Sequence, residues 1–395
     1  MEDDIFTTSN TKIFKNRSIL STKYIPERLI ARDQQIKDVA NLVKPVLSNG
    51  EPRNAMIYGK TGTGKTVVVR YVLKKLHSIA EKETSRVISI FLNCREINTT
   101  TRIILEILDN IVPENTISRT GLSTGEYYNF LWESINKKSS TIIVIFDEID
   151  QLKDHNILYN LSRAGENIRL KEDVFIGVIG LSNDLFFSDK MEARIISSLG
   201  RRDFVFPPYD ADQLSQILRD RSIAFEDGVL DENVIPMCAA YSAQEHGDAR
   251  KALMLLETAG EVAERFNSLK VTEKHVIQAY EELNTDCIVE MVKTLPLQSK
   301  LVLLSIVQLS KQFDGRMTTG RVELKYQDFC TRISTRTLGR TSVSKLISEL
   351  DMLGIIEARV QNRGRQGKTR LISLDKHIDK IENGLLDDPV FICLK

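Results

Sequence analysis

Between residues 54 and 206, short apolar runs rich in β-branched residues alternate with longer stretches in which apolar positions recur every three or four residues. The runs at 54–58, 87–93, 141–146, 174–181 and 204–206 predict strands, and the intervening stretches predict helices. That alternation is the signature of an α/β unit, a mostly parallel sheet covered by helices. Ahead of it, residues 24–46 read as an extended segment followed by a helix ending near Pro45. After Pro207 and Pro208 the strand pattern stops, and helical periodicity takes over at 211–224, 232–242, 247–266 and 272–283, predicting a small all-helical unit.

A third unit follows the polar stretch at 284–286. It opens with an apolar helix at 299–309, then a loop with Asp314, Gly315, Thr319 and Gly320, then helices at 323–332 and 340–353. Two strand-like arms, 355–360 and 369–374, flank the turn-forming run QNRGRQGK. Three helices followed by a β-wing describe a winged helix-turn-helix. The organisation expected is an N-terminal tail at 1–23, an α/β domain at 24–206, an all-helical domain at 207–286 and a winged-helix domain at 287–395.

The chain has 395 residues, 42% of them hydrophobic and 27% charged, the balance of an ordinary globular protein with two or three domains. Its five cysteines are scattered without metal-ligand spacing and read as reduced thiols. An acidic N-terminus, MEDDIFTTSN, and the lack of a long apolar run lead to the expectation of a cytoplasmic protein with no membrane association. The formal net charge is zero, which alone argues against a uniformly basic nucleic-acid binder. Divided at Met291 the picture changes: residues 291–395 hold 18 Lys and Arg against 11 Asp and Glu, a net of +7, so the remainder carries −7.

GKTGTGKT at 59–66 fits G-x-x-x-x-G-K-[ST] between a strand and a helix, the context that a phosphate loop requires. Gly59, Gly62 and Gly64 let the backbone curl so that its N–H groups, that of Thr63 among them, face phosphate oxygens. Lys65 supplies charge to the β and γ oxygens, and Thr66 offers a hydroxyl to Mg²⁺. The apolar strand IIVIFDE ends in two carboxylates. Asp147 suits a hard cation, held directly or through water, and Glu148 suits the orientation and deprotonation of an attacking water. The strand ending in IGLSND at 179–184 offers Asn183 to a γ-phosphate or water, and Arg250, in GDARKAL, is expected on the first turns of a helix from which a guanidinium could reach a γ-phosphate.

On the 340–353 helix, Val343, Leu346, Ile347, Leu350 and Leu353 form the apolar face, leaving Arg340, Thr341, Ser344, Lys345 and Ser348 outward. Small hydroxyl residues with Arg and Lys suit insertion into a DNA major groove. Arg363, Arg365, Lys368 and Arg370, expected at the wing tip, suit phosphate or minor-groove contact.

Together these residues resemble the AAA+ replication initiators of archaea, the family of the origin recognition complex large subunit and the cell division control protein. YIPERLIARDQQI at 24–36, GLSTGEYY at 121–128, SSLGRRDFVFPPY at 197–209 and EHGDARKAL at 245–253 carry the resemblance further, over about residues 24–374. It implies an AAA+ ATPase domain, a helical lid and a C-terminal winged helix, with ATP or ADP and Mg²⁺ as cofactors and with slow hydrolysis that switches state more than it turns over. Tyr24, Pro26 and Arg32 would border the adenine, and Tyr209 and Arg221 would complete the base and ribose pocket. An insertion carrying Arg119, Thr120, Leu122, Ser123 and Thr124 would touch DNA, although the Ser-Thr-Gly-Glu run equally reads as a helix cap. An arginine finger would be Arg194, Arg201 or Arg202. Implied partners are duplex origin DNA, a paralogous initiator on adjacent DNA and the replicative helicase. The alternative is a signalling ATPase in which the winged helix controls self-assembly.

Overall fold

The computed structural model describes residues 13–22, 24–82, 86–112, 121–138, 140–166, 169–200, 202–312, 316–362, 368–374, 378–386, 388 and 390–391, without side chains at 285–287, 316, 360–362 and 368–369. The chain divides into two compact units, Met1–Val276 and Ile277–Lys395.

The first unit is built on β1 (Ala55–Tyr58), β2 (Val87–Asn93), β3 (Thr141–Asp147), β4 (Ile176–Ser182) and β5 (Arg202–Val205). All pairings are parallel, in the order β2-β3-β4-β1-β5. Its helices are α1 (Asp33–Val43), α2 (Lys65–Ala80), α3 (Thr100–Ile111), α4 (Thr124–Lys138), α5 (Asn156–Ser162) and α6 (Ala193–Leu199), followed by the lid helices α7 (Ala211–Arg221), α8 (Val234–Gln244) and α9 (Ala249–Arg265).

Strand alternation divides the core between the two faces of the sheet. Ile142, Val144 and Phe146 of β3, with Met56 and Tyr58 of β1, pack into a cluster with residues of α3 to α6. Ile143, Ile145, Ala55 and Ile57 face the other way, toward α1 and α2. Both faces are covered, so the central strands are apolar at almost every position.

Because the strands are parallel and in register, their C-terminal ends meet at one edge. Asp147 pairs with Leu181, Ile57 with Leu181 and Tyr58 with Ser182, which sets the loop after β1 beside the ends of β3 and β4. A strand order that places β1 between later strands makes this edge the binding crevice. In the lid, Asp210 and Gln213 form a reciprocal capping box at the start of α7. At α9 the Asp248 side chain accepts from the backbone N–H groups of Arg250 and Lys251.

Helix α10 (Glu273–Thr294) runs without a break through 284–286, where the sequence suggests a linker. The second unit then contains α11 (Leu297–Gln312), β6 (Arg316–Thr318), α12 (Thr319–Arg332), α13 (Arg340–Met352), β7 (Glu357–Asn362), β8 (Lys368–Ser373) and α14 (Ile378–Leu386). Strand β6 and helix α14 have no counterpart in the sequence reading. β6 adds to β8 to make a three-stranded antiparallel sheet, so three residues too few to show a period are ordered by a partner strand. α11 is the core of this unit, with Leu301, Val302, Leu303, Leu304, Ile306 and Val307 all buried. Cys94, Cys238 and Cys330 are buried free thiols, and among the described residues no helix is long and apolar enough to cross a membrane.

Candidate nucleotide and DNA-binding sites

The phosphate loop lies between β1 and α2, with positive φ at Gly62 (70°) and Gly64 (89°). Both glycines are also demanded by space. A Cβ on Gly62 would stand 1.6 Å from Asp248 Oδ1, and one on Gly64 would stand 2.5 Å from the Tyr209 hydroxyl. The lid N-cap and the hinge tyrosine therefore pack directly on the loop, and Ala249 N donates to Gly62 O at 3.2 Å.

Within the loop the buried Lys65 ammonium donates to Gly59 O (2.6 Å), Lys60 O (2.9 Å) and Asn183 Oδ1 (2.9 Å). Burial is the main reason its pKa falls to about 8; Asp147 opposes that fall and Arg250 adds to it. Thr66 Oγ1 donates to Asp147 Oδ2 at 2.9 Å. Asp147 Oδ1 accepts from Glu148 N at 3.1 Å, and Glu148 takes a left-handed backbone (φ 53°) at the end of the strand.

The two expected Mg²⁺ ligands thus sit together and are both hard oxygen donors. The hydroxyl and carboxylate oxygens are in hydrogen-bond contact at 2.9 Å, so Thr66 and Asp147 would hold the cation together, the carboxylate directly or through water. When bound, the cation would neutralise charge on the β and γ oxygens. Among the described residues no cluster of three or more His, Cys, Asp and Glu is placed to hold a metal ion.

A cleft of about 640 Å³ opens beside the loop. Gly62, Thr63, Gly64, Lys65 and Thr66 line its floor, and Asp147, Glu148 and Asn183 line one side. Tyr24, Pro26, Tyr209, Arg221 and Arg250 complete the wall from the N-terminal segment, hinge and lid.

Two expected residues serve differently. Gly59 does not line the cleft; its carbonyl holds Lys65 from below, and a Cβ there would meet Phe206 O at 2.6 Å. Arg32 does not line it either. Its guanidinium is buried behind the loop, donating to Thr63 O (3.1 Å), Ala31 O (3.2 Å) and Pro207 O (2.7 Å) and stacking 3.7 Å from the Tyr209 ring centroid. Arg32 is a strut between loop and hinge, and desolvation lowers its pKa.

Arg221 is likewise buried, donating to Ile19 O at 2.8 Å and lying 4.6 Å from the Tyr24 ring centroid. Asp150 was not singled out in the sequence. It accepts from Ser182 Oγ (3.0 Å) and Asn183 N (3.1 Å) and so holds the end of β4. Its position two residues after Glu148, in FDEID, was the available signal. Arg70 and Asn93 also line the cleft; nothing in their local sequence distinguishes them. Arg194 is exposed and paired with Glu192, Arg202 is exposed on the edge strand β5, and Arg201 lies outside the described residues.

In the insertion, Ser123 and Glu126 cap α4: Glu126 N donates to Ser123 Oγ at 3.3 Å, and Glu126 Oε2 accepts from Ser123 N at 2.7 Å. Those backbone and hydroxyl bonds from Ser123 lower the Glu126 pKa. Leu122 packs half-buried against the core and Thr124 is exposed, while Arg119 and Thr120 lie outside the described residues.

In the second unit, Val343, Ile347 and Leu350 of α13 are buried and Leu346 is half-buried. Leu353, expected on that face, is 44% exposed because the helix ends at Met352 and it falls at the cap. Arg340, Thr341 and Lys345 are exposed, with Arg340 3.6 Å from Glu323; Ser344 is half-buried. Arg370 is not a tip residue. It lies on β8 opposite Val360, and its guanidinium donates to Ser348 Oγ (2.7 Å) and Ser344 O (3.3 Å), fastening the wing to α13. Lys368 opens β8 without a described side chain, and Arg363 and Arg365 lie outside the described residues.

A parallel sheet in this order, with a phosphate loop after β1, carboxylates after β3, an asparagine after β4 and a helical lid, defines a nucleotide-binding P-loop ATPase of the AAA+ class, here followed by a winged helix. The chain matches the AAA ATPase domain over residues 28–175, the Cdc6 AAA+ ATPase-type lid domain over 215–281 and the CDC6 C-terminal winged helix domain over 290–384. It is 43% identical to the ORC1-type DNA replication protein 1 of Methanosarcina acetivorans, covering 95% of this chain and 91% of that one. It is 44% identical to the ORC1-type DNA replication protein of Pyrococcus furiosus, covering 95% and 90%. Among solved structures it resembles the Aeropyrum pernix ORC1 protein in complex with DNA, at 40% identity and a TM-score of 0.75 over 98% of this chain and 100% of that one. It also resembles Cdc6p from Pyrobaculum aerophilum, at 26% identity and a TM-score of 0.60 over 95% and 98%. The chain belongs to the ORC1/Cdc6 family of AAA+ DNA replication initiators.

Proposed function

We propose that this protein grips duplex origin DNA through α13, the wing and the insertion at 119–124, and that ATP binding and slow Mg²⁺-dependent hydrolysis switch its state while it helps recruit the replicative helicase. The observation that carries the nucleotide half of this reading is the cleft in which Lys65, Thr66, Asp147, Glu148, Asn183 and Arg250 converge from four elements. Lys65 and Arg250 would face phosphate charge, Thr66 and Asp147 would hold the cation, and Asn183 and Glu148 would orient and deprotonate the lytic water. Tyr24, Pro26 and Arg221 line the same cleft and would border base and ribose, with Tyr209 at the hinge. Arg32 would act from behind the loop. Domain limits at 24–206, 207–286 and 287–395, an arginine finger among Arg194, Arg201 and Arg202, action in the cytoplasm on the nucleoid, and a paralogous initiator on adjacent DNA belong to the same reading.

The DNA half is supported by the +7 charge of residues 291–395, by the exposed Arg340, Thr341 and Lys345 on α13, and by the relative solved with DNA. Fluorescence anisotropy with duplex DNA tests it. Lys345→Ala, and Arg363→Ala with Arg365→Ala, should weaken binding, and each lost phosphate contact should lower the salt slope by about 1. Affinity and slope unchanged in both variants would remove the winged helix from DNA binding.

A further inference from the structure

Residues 13–22 lie across the lid. Lys15 N and Asn16 N both donate to Ala224 O, at 2.8 and 3.0 Å, and Glu226 N donates to Ile13 O at 3.0 Å. Phe14 packs on Phe225 with ring centroids 4.8 Å apart and the rings tilted by 34°. Helix α9 has a glycine where this ring arrives: a Cβ on Gly260 would stand 2.4 Å from Phe14 Cζ. Ile13, Phe14 and Leu20 are buried as a result.

Arg17 locks the segment down. Its guanidinium lies 4.3 Å from the Phe14 ring centroid, pairs with Glu261 at 3.3 Å and also pairs with Glu264. Glu257, Glu261 and Glu264 follow one another at four- and three-residue spacing, so they share one face of α9, where like charges repel. The Glu257 carboxyl is raised above its ordinary value by burial and then by Glu261, and Arg17 opposes both. Arg17 is thus the cation that this acidic stripe needs.

The same segment leads into the nucleotide cleft. Ser21 lines it, and so do Tyr24 and Pro26 just beyond. Arg221 of α7 ties the two together, bonded to Ile19 O and stacked on Tyr24. The wall of the cleft at residues 21, 22 and 24 is therefore fastened to α7 and α9 through this segment, whereas the phosphate loop continues from β1 into α2 and touches the lid at the N-terminus of α9.

We propose that residues 13–22 form a strap that carries one wall of the nucleotide cleft on the lid, and that Arg17 is a positioning residue that sets how long nucleotide is retained. With the strap in place, the wall can leave the nucleotide only if the lid moves with it. With Arg17 gone, the strap can lift alone and open a route for release. The inference rests on reading the cleft as the nucleotide site.

Stopped-flow release of a fluorescent ADP analogue, chased with excess ADP, tests it on the full chain. Arg17→Glu should speed release about three- to tenfold, the size expected from two partly exposed ion pairs and one cation–π contact. Adding Glu261→Lys and Glu264→Lys should return the rate to within about twofold of the original, a rescue that a general loss of structure would not permit. Arg17→Gln, a milder change, should give an intermediate rate and serves if Arg17→Glu does not fold. Unchanged release in Arg17→Gln, faster release without rescue by charge reversal, or a lower melting temperature with unaltered release would each overturn the strap. A native chain that does not bind the analogue at all would instead overturn the nucleotide site itself, and the strap's role with it.

Discussion

The Lys65 ammonium donates to Asn183 Oδ1 at 2.9 Å, joining the phosphate loop to the end of β4 by one charged hydrogen bond. Burial has lowered this ammonium to about 8, so it loses its proton as pH rises through that value in the free protein. Phosphate oxygens favour the charged form. Nucleotide affinity should therefore fall as pH rises from about 8 toward the ordinary lysine value of 10.5, and binding at pH 9 should take up protons. The unfolded chain holds this proton more tightly than the folded one, so burying Lys65 costs stability below about pH 8 and that cost is relieved as pH rises from there toward 10.5. Calorimetry in buffers of different ionisation enthalpy measures the uptake; none at pH 9 would contradict the lowered value.

Glu148 sits at the end of β3 with its backbone N–H bonded to Asp147 Oδ1. Glu148→Gln should leave nucleotide affinity within about twofold and slow phosphate release by about 10²-fold or more, the usual scale for loss of a general base. Equal turnover in the variant would remove Glu148 from the chemistry.

Arg370 and Lys345 both belong to the winged helix, yet they should fail in different ways. Arg370 is bonded to Ser344 O and Ser348 Oγ, so Arg370→Ala should lower the melting temperature as well as weaken duplex binding, because it frees the wing from α13. Lys345→Ala, at an exposed position, should lower the salt slope by about 1 and leave the melting temperature within about 1 °C. An unchanged melting temperature in Arg370→Ala would show that its guanidinium does not hold the wing.

Ala31 adopts a left-handed backbone, φ 57°, just before the buried Arg32. That conformation costs a residue with a Cβ about 1–2 kcal/mol, partly offset by the extra freedom glycine has when unfolded. Ala31→Gly should stabilise the protein by about 0.5–1 kcal/mol in chemical denaturation; destabilisation would mean that the Ala31 methyl packs.

Ser123 Oγ accepts from Glu126 N at the start of α4. Ser123→Ala should cost about 1 kcal/mol of stability, the usual size of a lost cap. Comparing its duplex affinity with that of Thr124→Ala separates capping from contact: the exposed Thr124 should show the larger loss of binding.

Local chemistry was legible in the chain wherever a short run carries its own geometry. GKTGTGKT and IIVIFDE each place strand, turn and functional side chains within a few residues, and their positions at the sheet edge follow from parallel pairing. The cap at Ser123 was equally readable, because its partner is three residues away. The unbroken course of α10 through 284–286 was not, since polar residues mark a linker only when nothing else continues the helix.

The sequence by itself determined most of the order of elements, the phosphate-loop and carboxylate motifs and the basic C-terminal unit, all of which depend on neighbours along the chain. Tertiary structure alone decided that Arg32 braces the loop from behind, that Arg370 clamps the wing to α13, and that Arg17 ties the N-terminal segment to α9. The physical reason is common to all three. A guanidinium has a long reach and several donors, and its partners here are carbonyls, a hydroxyl and carboxylates that are mostly distant in sequence. No local pattern marks which of them it will meet until the sheet, the lid and the wing have packed.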